Sequence, residues 1–142
     1  MVNKLDINAF NDKVKCIEIG KLTLKMIRFL NLSINPCSIM LWDDRLKYME
    51  KHKTDFISEE AYYKHLQEIS NIIENPDYIG LHPKDNSIQF IKRIDELMLV
   101  GVRINNKGSL NIRSSYPISN EQLQTYLESN TAWKFKNIDT DE

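Results

Sequence analysis

The 142-residue sequence has few of the residues that build the common cofactor and metal sites. Its four glycines form neither a GxGxxG nor a GxxxxGK motif, which argues against a nucleotide cofactor held by a glycine-rich loop. Cys16, Cys37 and the three scattered histidines form no CxxC pair, HExxH motif or plausible zinc set. We therefore expect no metal and no cofactor. We also expect a reduced, cytoplasmic chain, with a structural disulfide as the less favoured alternative.

The sequence also lacks an excess of either charge and lacks long apolar runs. A net charge of −1 excludes a uniformly basic nucleic-acid binder, so an anionic partner would have to bind a local patch. No apolar run approaches the length that spans a membrane, and MVNKLDINAF lacks the apolar core of a signal peptide, so no membrane partner is expected. The length suits one domain over residues 1–142, with its core at about 14–130 and flexible segments at 1–12 and 134–142.

The most regular part of the sequence is residues 87–116. Three apolar runs there are separated by two stretches of turn-forming residues. The runs lie at 88–94, 97–104 and 110–112, and the turns lie at 95–96 and 105–108. This pattern predicts an antiparallel three-stranded meander.

The second turn predicts which side chains share a face of the meander. If Gly108 takes the left-handed conformation of a three-residue loop, alternation divides the side chains into two sets. The core face carries Met98, Val100, Val102, Ile104, Leu110 and Ile112. The open face carries Leu99, Gly101, Arg103, Asn111, Arg113 and Ser115. The first strand adds Arg93 to the open face in one register and Lys92 in the other, so either alternative contributes a cation.

Shorter patterns predict further elements on both sides of the meander. Before it, the sequence predicts strands at 14–19, 37–42 and 78–81, a helix containing Leu22, Met26, Phe29 and Leu30, a helix from Asp43 to about His52, and a helix at 59–74 capped by Ser58. After it, Ser119 and Gln122 form a capping box for a helix at about 120–129. The predicted fold class is α+β, in which helices precede a small antiparallel sheet (the meander) and a C-terminal helix follows it.

The helix predicted from Asp43 carries three polar side chains along one stripe. Arg45, Tyr48 and His52 lie at positions i, i+3 and i+7, so one helix face presents a cation, a phenol and an imidazole together. The alternative is that Tyr48 is a packing residue and that His52 is a C-terminal cap favoured by the helix dipole.

Histidine, arginine, tyrosine and hydroxyl groups around a basic sheet face suit the cleavage of RNA without a metal. One group must take the proton of the ribose 2′-hydroxyl, another must protonate the leaving 5′-oxygen, and cations must stabilise the phosphoryl oxygens. Histidine titrates near neutral pH, and arginine binds phosphate through two hydrogen bonds. A solvated sheet face without a function is the alternative.

Five segments occur in an ordered series: IEIGKL, WDDRLKYMEKH, NPDYIG, SIQFIKRID and RSSYP. Over residues 16–127 this series resembles the phage-type nuclease families of the barnase, EndoU, colicin and RelE superfamily, and the last three segments are the most specific. The resemblance implies a small α+β domain of that fold, associated with phages, mobile elements and toxin systems. It also implies a metal-independent endoribonuclease, a hydrolase that leaves a 2′,3′-cyclic phosphate.

The resemblance implies roles for particular residues. His52 would be a general acid or base, and the other catalytic residues, which bind or polarise the phosphate, would be Arg113, Ser115 and Tyr116. The substrate would be bound by Arg45, Tyr48 and Arg103, together with Lys92 or Arg93. Members of the family often carry a histidine at the position of Tyr48. A phenol with an ordinary pKa near 10 donates a proton but is a poor base.

Two other hypotheses assign no catalytic role to this surface. A catalytically silent member would bind RNA or a partner protein through it, and the near-neutral net charge and Tyr48 favour this alternative. A structural phage protein would leave both Arg103 and Arg113 in ion pairs with acidic side chains of the chain. If the protein is a toxin acting on RNA, we expect a cognate inhibitor or antitoxin protein, acidic enough to cover the basic face.

Overall fold

The computed structural model describes residues 10–105 and 109–135. The first half contains β1 (Cys16–Leu22), α1 (Leu24–Leu30), β2 (Cys37–Trp42), α2 (Asp43–Glu50), a 3₁₀ turn (Lys53–Asp55), α3 (Glu59–Gln67) and α4 (Ile69–Glu74). The second half contains β3 (Tyr78–Leu81), β4 (Ser87–Arg93), β5 (Leu97–Arg103), β6 (Ser109–Pro117), α5 (Asn120–Glu128) and β7 (Ala132–Lys134). None of the described helices is long and apolar enough to span a membrane.

The described strands form one sheet in the order β1-β2-β6-β5-β4-β3-β7. Strands β4, β5 and β6 are the predicted meander and lie at its centre. All neighbours pair antiparallel except β2 and β6, which run parallel. The predicted α+β class with a C-terminal helix is confirmed. The sheet is larger than the meander because β1 and β2 extend one edge, and β3 and β7 extend the other.

The main core lies between one face of the sheet and the helices α1, α3 and α4. Three isoleucines of α4 are fully buried against this face: Ile69, Ile72 and Ile73. Five residues predicted on the core face of the meander are at most 3% exposed: Met98, Val100, Val102, Leu110 and Ile112. Burial of such side chains stabilises the fold by roughly 1.5–3 kcal/mol each. The predicted core face is therefore confirmed at these positions.

Two helix predictions need correction. The helix predicted at 59–74 is divided at Glu68, where φ is −95° and ψ is 5° instead of the helical value near −42°. Its predicted N-cap is confirmed, since the Ser58 hydroxyl accepts a hydrogen bond from the Ala61 N–H at 3.0 Å. Leu22, predicted on the first helix, is instead the last residue of β1, and its side chain is buried in the main core.

A β-bulge in β6 changes the faces predicted for the end of the meander. The pairing of β5 with β6 shifts by one residue at Arg113, so that Ser114 lies opposite Gly101 and Ser115 lies opposite Val100. Paired residues point to the same face, so Ser115 shares the face of Val100, which is the core face. The prediction that Ser115 lies on the open face is therefore wrong, and Ser114 occupies that place.

Helix α5 covers half of the face that the sequence predicts to be open. On this face Ile91, Leu97 and Leu99 are buried in a second, smaller core. Tyr116 and three residues of α5 pack against them: Leu123, Tyr126 and Leu127. Only the other half of this face, around Arg103 and Arg113, is free of α5. We call these two parts the covered half and the open half.

Several predictions fall at the limits of the described residues. Gly108 and the rest of its turn, at 106–108, lie outside them, as do residues 1–9 and 136–142. Strand β7 extends to Lys134, and Phe135 is only 4% exposed, so the described core continues beyond the predicted limit at about 130. Cys16 and Cys37 are both free thiols, at opposite ends of the β1–β2 pair.

Candidate active site

A cleft of about 590 Å³ lies between α2 and the open half of the sheet. It is lined by Trp42, Asp44, Arg45, Tyr48, Arg103, Asn111, Ile112, Arg113 and Ser114. Strand β2 runs parallel to β6 and ends at Trp42, where α2 begins at once. Because β6 continues past that point, the helix comes to lie beside the second half of β6. The parallel pair thus explains why a helix residue such as Tyr48 shares a cleft with Arg113.

Helix α2 directs its polar stripe into this cleft by burying its other side. Met49 is 3% exposed, and Leu46 packs against the main core. The Arg45 guanidinium carbon lies 4.8 Å from the centre of the Tyr48 ring, a distance at which a cation and an aromatic face attract each other. The Tyr48 side chain therefore has one face covered by Arg45, although the residue is 46% exposed.

His52 lies next to the cleft but not in its lining. Helix α2 ends at Glu50, so His52 follows the helix instead of ending it. Its ring centre is 5.2 Å from that of Tyr48, and its Nδ1 is 3.6 Å from Asp55 Oδ2. About half of its side chain is exposed to solvent. The predicted stripe of Arg45, Tyr48 and His52 is therefore continuous in the structure.

One carboxylate lies between the two arginines of the sheet. Asp85 Oδ2 is 3.1 Å from Arg113 Nη1, and Asp85 Oδ1 is 3.7 Å from Arg103 Nη2. The carboxylate is 26% exposed, whereas the arginine side chains are 41% and 55% exposed. Together with Arg45 and Asp44, the cleft and its border hold three arginines and two aspartates. The site therefore keeps one positive charge in excess.

Lys92 and Arg93 do not lie in this cleft. The Lys92 ammonium donates a hydrogen bond to the Asn75 carbonyl at 2.9 Å and lies 3.5 Å from Asp77 Oδ1. Arg93 donates a hydrogen bond to Asn120 Oδ1 at 2.9 Å, at the start of α5. Both cations therefore have partners at the far end of the meander. Of the two predicted registers, the structure has the one that places Arg93 on the face of Leu99, in the covered half.

Ser115 and Tyr116 are also placed away from the arginines. Ser115 faces the core side because of the bulge, and Tyr116 packs beneath α5 in the second core. Burial, with a smaller contribution from Tyr126, raises the pKa of Tyr116 above its usual value of 10. Its phenol therefore stays protonated at neutral pH and is not suited to be a base.

Six residues of the site are absent from the sequence-based prediction of catalytic and binding groups: Trp42, Asp44, Asp85, Asn111, Ile112 and Ser114. Asp85 lies in the loop between β3 and β4, a position that the sequence marks only as polar. Ser114 enters through the bulge, which no local signal predicts. Trp42 directly precedes the predicted helix, so an aromatic residue at this strand–helix junction is the one signal that could have been used.

Within residues 10–105 and 109–135, no three His, Cys, Asp or Glu side chains are grouped to hold a metal ion.

A family model described as phage-Barnase-EndoU-ColicinE5/D-RelE like nuclease3 matches residues 17–125. The match covers more than half of the chain, from β1 into α5, and includes every residue that lines the cleft. The chain belongs to this nuclease family. The resemblance found in the sequence is thereby confirmed. No curated protein and no solved structure matches the chain significantly. The cleft between α2 and the open half is the candidate active site of this member of the phage-type nucleases.

Proposed function

We propose that the protein is an endoribonuclease that cleaves RNA without a metal ion, by attack of the ribose 2′-hydroxyl on the adjacent phosphate. One observation carries the proposal: in a member of a nuclease family, Arg103 and Arg113 share a cleft with the Arg45 and Tyr48 side chains, and His52 borders it. The proposal includes a toxin-like role in the cytoplasm, associated with a phage or mobile element.

The two arginines of the sheet would bind the scissile phosphate. They project from neighbouring strands and already hold the two oxygens of one carboxylate, Asp85. A phosphate also presents oxygens to guanidinium groups, and it carries charge that grows during the reaction. In this proposal the phosphate replaces Asp85 as the partner of Arg113, and Arg103 remains within reach of both anions.

The imidazole and the phenol beside the cleft would carry the protons. His52 takes the proton of the 2′-hydroxyl as the 2′-oxygen forms its bond to phosphorus. The bond from phosphorus to the 5′-oxygen breaks, and that oxygen receives the proton of the Tyr48 hydroxyl. The products are a 2′,3′-cyclic phosphate and a free 5′-hydroxyl. Ser114, which lines the cleft, replaces Ser115 as the hydroxyl next to the phosphate.

A second function is favoured by the position of Asp85. Because this carboxylate contacts both Arg103 and Arg113, the arginines have a partner within the chain. Ion pairs of both arginines are the arrangement expected of a structural phage protein without a nucleic-acid role. A catalytically silent member would use the remaining charge to bind RNA or a partner protein without cleavage. A single carboxylate balances only one of the two guanidinium charges, so we favour the nuclease. An acidic inhibitor protein that covers the remaining charge fits either function.

Incubation of RNA with the purified protein in excess EDTA tests the proposed function. We expect new ends that carry 2′,3′-cyclic phosphate, and we expect His52→Ala and Arg113→Ala each to lower the rate about 100-fold or more. Arg28→Ala, which removes an exposed cation on α1, is the matched control and should retain full activity. Cleavage that requires added metal would contradict the mechanism. If the protein binds RNA but produces no new RNA ends, the result would favour the catalytically silent member.

A further inference from the structure

Trp42 is a large aromatic residue left exposed inside a charged cleft. The residue is 46% exposed and lies at the junction of β2 and α2, in the same cleft as Arg103 and Arg113. Ligand sites are commonly concave and lined by aromatic side chains together with a few polar groups. The indole is therefore a candidate contact for a part of the substrate other than its phosphate.

A hydrogen bond fixes the indole in position. The Trp42 Nε1–H donates to Asn111 Oδ1 at 2.9 Å, and Asn111 lies opposite Arg103 in the β5–β6 pair. The single polar group of the side chain is thus satisfied, and the residue is still 46% exposed. The same bond ties the ring to the strand pair that carries the arginines, so both are held by one rigid element.

The other exposed aromatic rings near the sheet already have partners. Arg45 covers a face of Tyr48, and Trp133 packs edge-on against Phe29 with ring centres 6.4 Å apart. Within the part of the chain that the structure describes, no aromatic ring packs on Trp42 and no cation lies over it. Trp42 is therefore the ring that is free to stack on a planar ligand.

We propose that Trp42 stacks on a nucleobase of single-stranded RNA whose neighbouring phosphate is bound by Arg103 and Arg113. This inference rests on the proposed function, because it takes RNA as the ligand. A nucleotide offers an anionic phosphate and a flat base within one unit, and the cleft offers two guanidinium groups and a fixed indole. A base within a duplex is stacked on its neighbours and cannot lie on the ring. Trp42 thus selects unpaired RNA while tolerating different base identities.

Tryptophan fluorescence tests this proposal directly, because the chain contains only two tryptophans. Trp133→Phe keeps an aromatic partner for Phe29 and leaves Trp42 as the only tryptophan, whose emission is read by selective excitation. The probes are a 2′-O-methyl hexanucleotide, which cannot be cleaved by 2′-oxygen attack, and a hexamer of the same backbone without bases. We expect the first to quench the fluorescence of Trp42 and the second to leave it unchanged.

Affinities measured by isothermal titration calorimetry, which does not depend on Trp42 as a reporter, provide the second readout. In Trp42→Leu the hexanucleotide should bind about tenfold more weakly, while the abasic hexamer should change by less than about twofold. Trp42→Phe keeps a ring and should recover much of the lost affinity. Equal affinity of Trp42→Leu and the parent protein for the hexanucleotide, or no quenching on binding, would overturn the proposal, and so would an absence of binding.

This experiment separates the stacking proposal from the proposed reaction. Quenching by the hexanucleotide together with intact unmodified RNA in EDTA would support stacking and contradict the nuclease mechanism. Cleavage of RNA without quenching, and with Trp42→Leu as active as the parent, would overturn stacking and leave the mechanism in place.

Discussion

The face of the meander opposite the main core has two halves that differ in what covers them. In the covered half, Leu99 and Tyr116 pack beneath α5 and form a small apolar core. In the open half, Gly101 and Arg103 continue the same strand. Helix α5 does not cover this part of the sheet, and a charged cleft lies there. The same three strands thus form an apolar core at one end and line a charged cleft at the other. On β5, the change from buried apolar core to charged cleft occurs between Leu99 and Arg103.

The bulge at Arg113 is what separates the two halves on β6. By adding one residue it brings Ser114 opposite Gly101 and Tyr116 opposite Leu99. Without the extra residue, alternation would place Ser115 opposite Leu99 in the covered half and turn Tyr116 toward the main core, opposite Met98. Bulges are frequent beside functional sites because they redirect a side chain, and here the redirected side chain is that of Ser114, which joins Arg113 in the cleft.

Truncation in the covered half should give the largest effect on stability. Leu99 is 1% exposed, and Leu99→Ala should lower the free energy of unfolding by about 2–5 kcal/mol through the cavity that it leaves. Gly101→Ala is the matched change in the open half. Its added methyl group would lie 2.9 Å from the Ser114 hydroxyl, which can rotate away, so we expect less than about 1 kcal/mol. Urea denaturation measures both, and equal losses would contradict the division into halves.

Removal of the carboxylate from the open half should increase RNA affinity. Asp85→Asn frees Arg103 and Arg113 for the phosphate, and we expect about twofold to fivefold tighter binding at low salt. The dependence of binding on salt should also become steeper. Asp95→Asn breaks an ion pair with Lys64 elsewhere and is the control for net charge. If both variants bind RNA equally well, Asp85 does not compete with the ligand.

The smallest expected effect concerns the pH dependence of stability due to His65, which lies in the main core. His65 is fully buried, and this burial lowers its pKa, although Glu96 and Asp95 act in the opposite direction and Lys64 adds to the lowering. The unfolded chain therefore binds the proton more readily than the folded chain. Stability due to this group is complete above the unfolded pKa of about 6.5 and is lost as the pH falls toward the folded pKa.

Unfolding by urea at about pH 7.5 and at about pH 5.5 measures this contribution. The loss of stability between the two pH values should be smaller in His65→Gln than in the parent protein. A steeper pH dependence in His65→Gln would show that the sign of the shift is wrong.

Local patterns were sufficient to predict the central elements of the fold. Alternation of apolar residues predicted β4, β5 and the core face, and helical spacing predicted the stripe of Arg45, Tyr48 and His52. The family resemblance, which rested on ordered segments such as NPDYIG, is confirmed. These features depend on residues that are close in the sequence, where periodicity is a reliable guide.

The composition of the site could be predicted only in part. Arg103 and Arg113 were expected on one face, but the bulge that exchanges Ser115 for Ser114 depends on pairing with β5. Asp85 reaches the arginines through a loop, and α5 covers Tyr116 through tertiary packing. Neither the loop nor the packing leaves a periodic signal in the sequence. Residues that meet through such long-range contacts require the structure.

The most direct test of this account compares two arginines on the same sheet face, Arg113 in the open half and Arg93 in the covered half. Cleavage of RNA in EDTA would be measured for Arg113→Ala and Arg93→Ala, with circular dichroism to confirm that both variants fold. We predict a loss of about 100-fold or more for Arg113→Ala and less than about threefold for Arg93→Ala. Equal losses, or a larger loss for Arg93→Ala, would contradict the assignment of the active site to the open half.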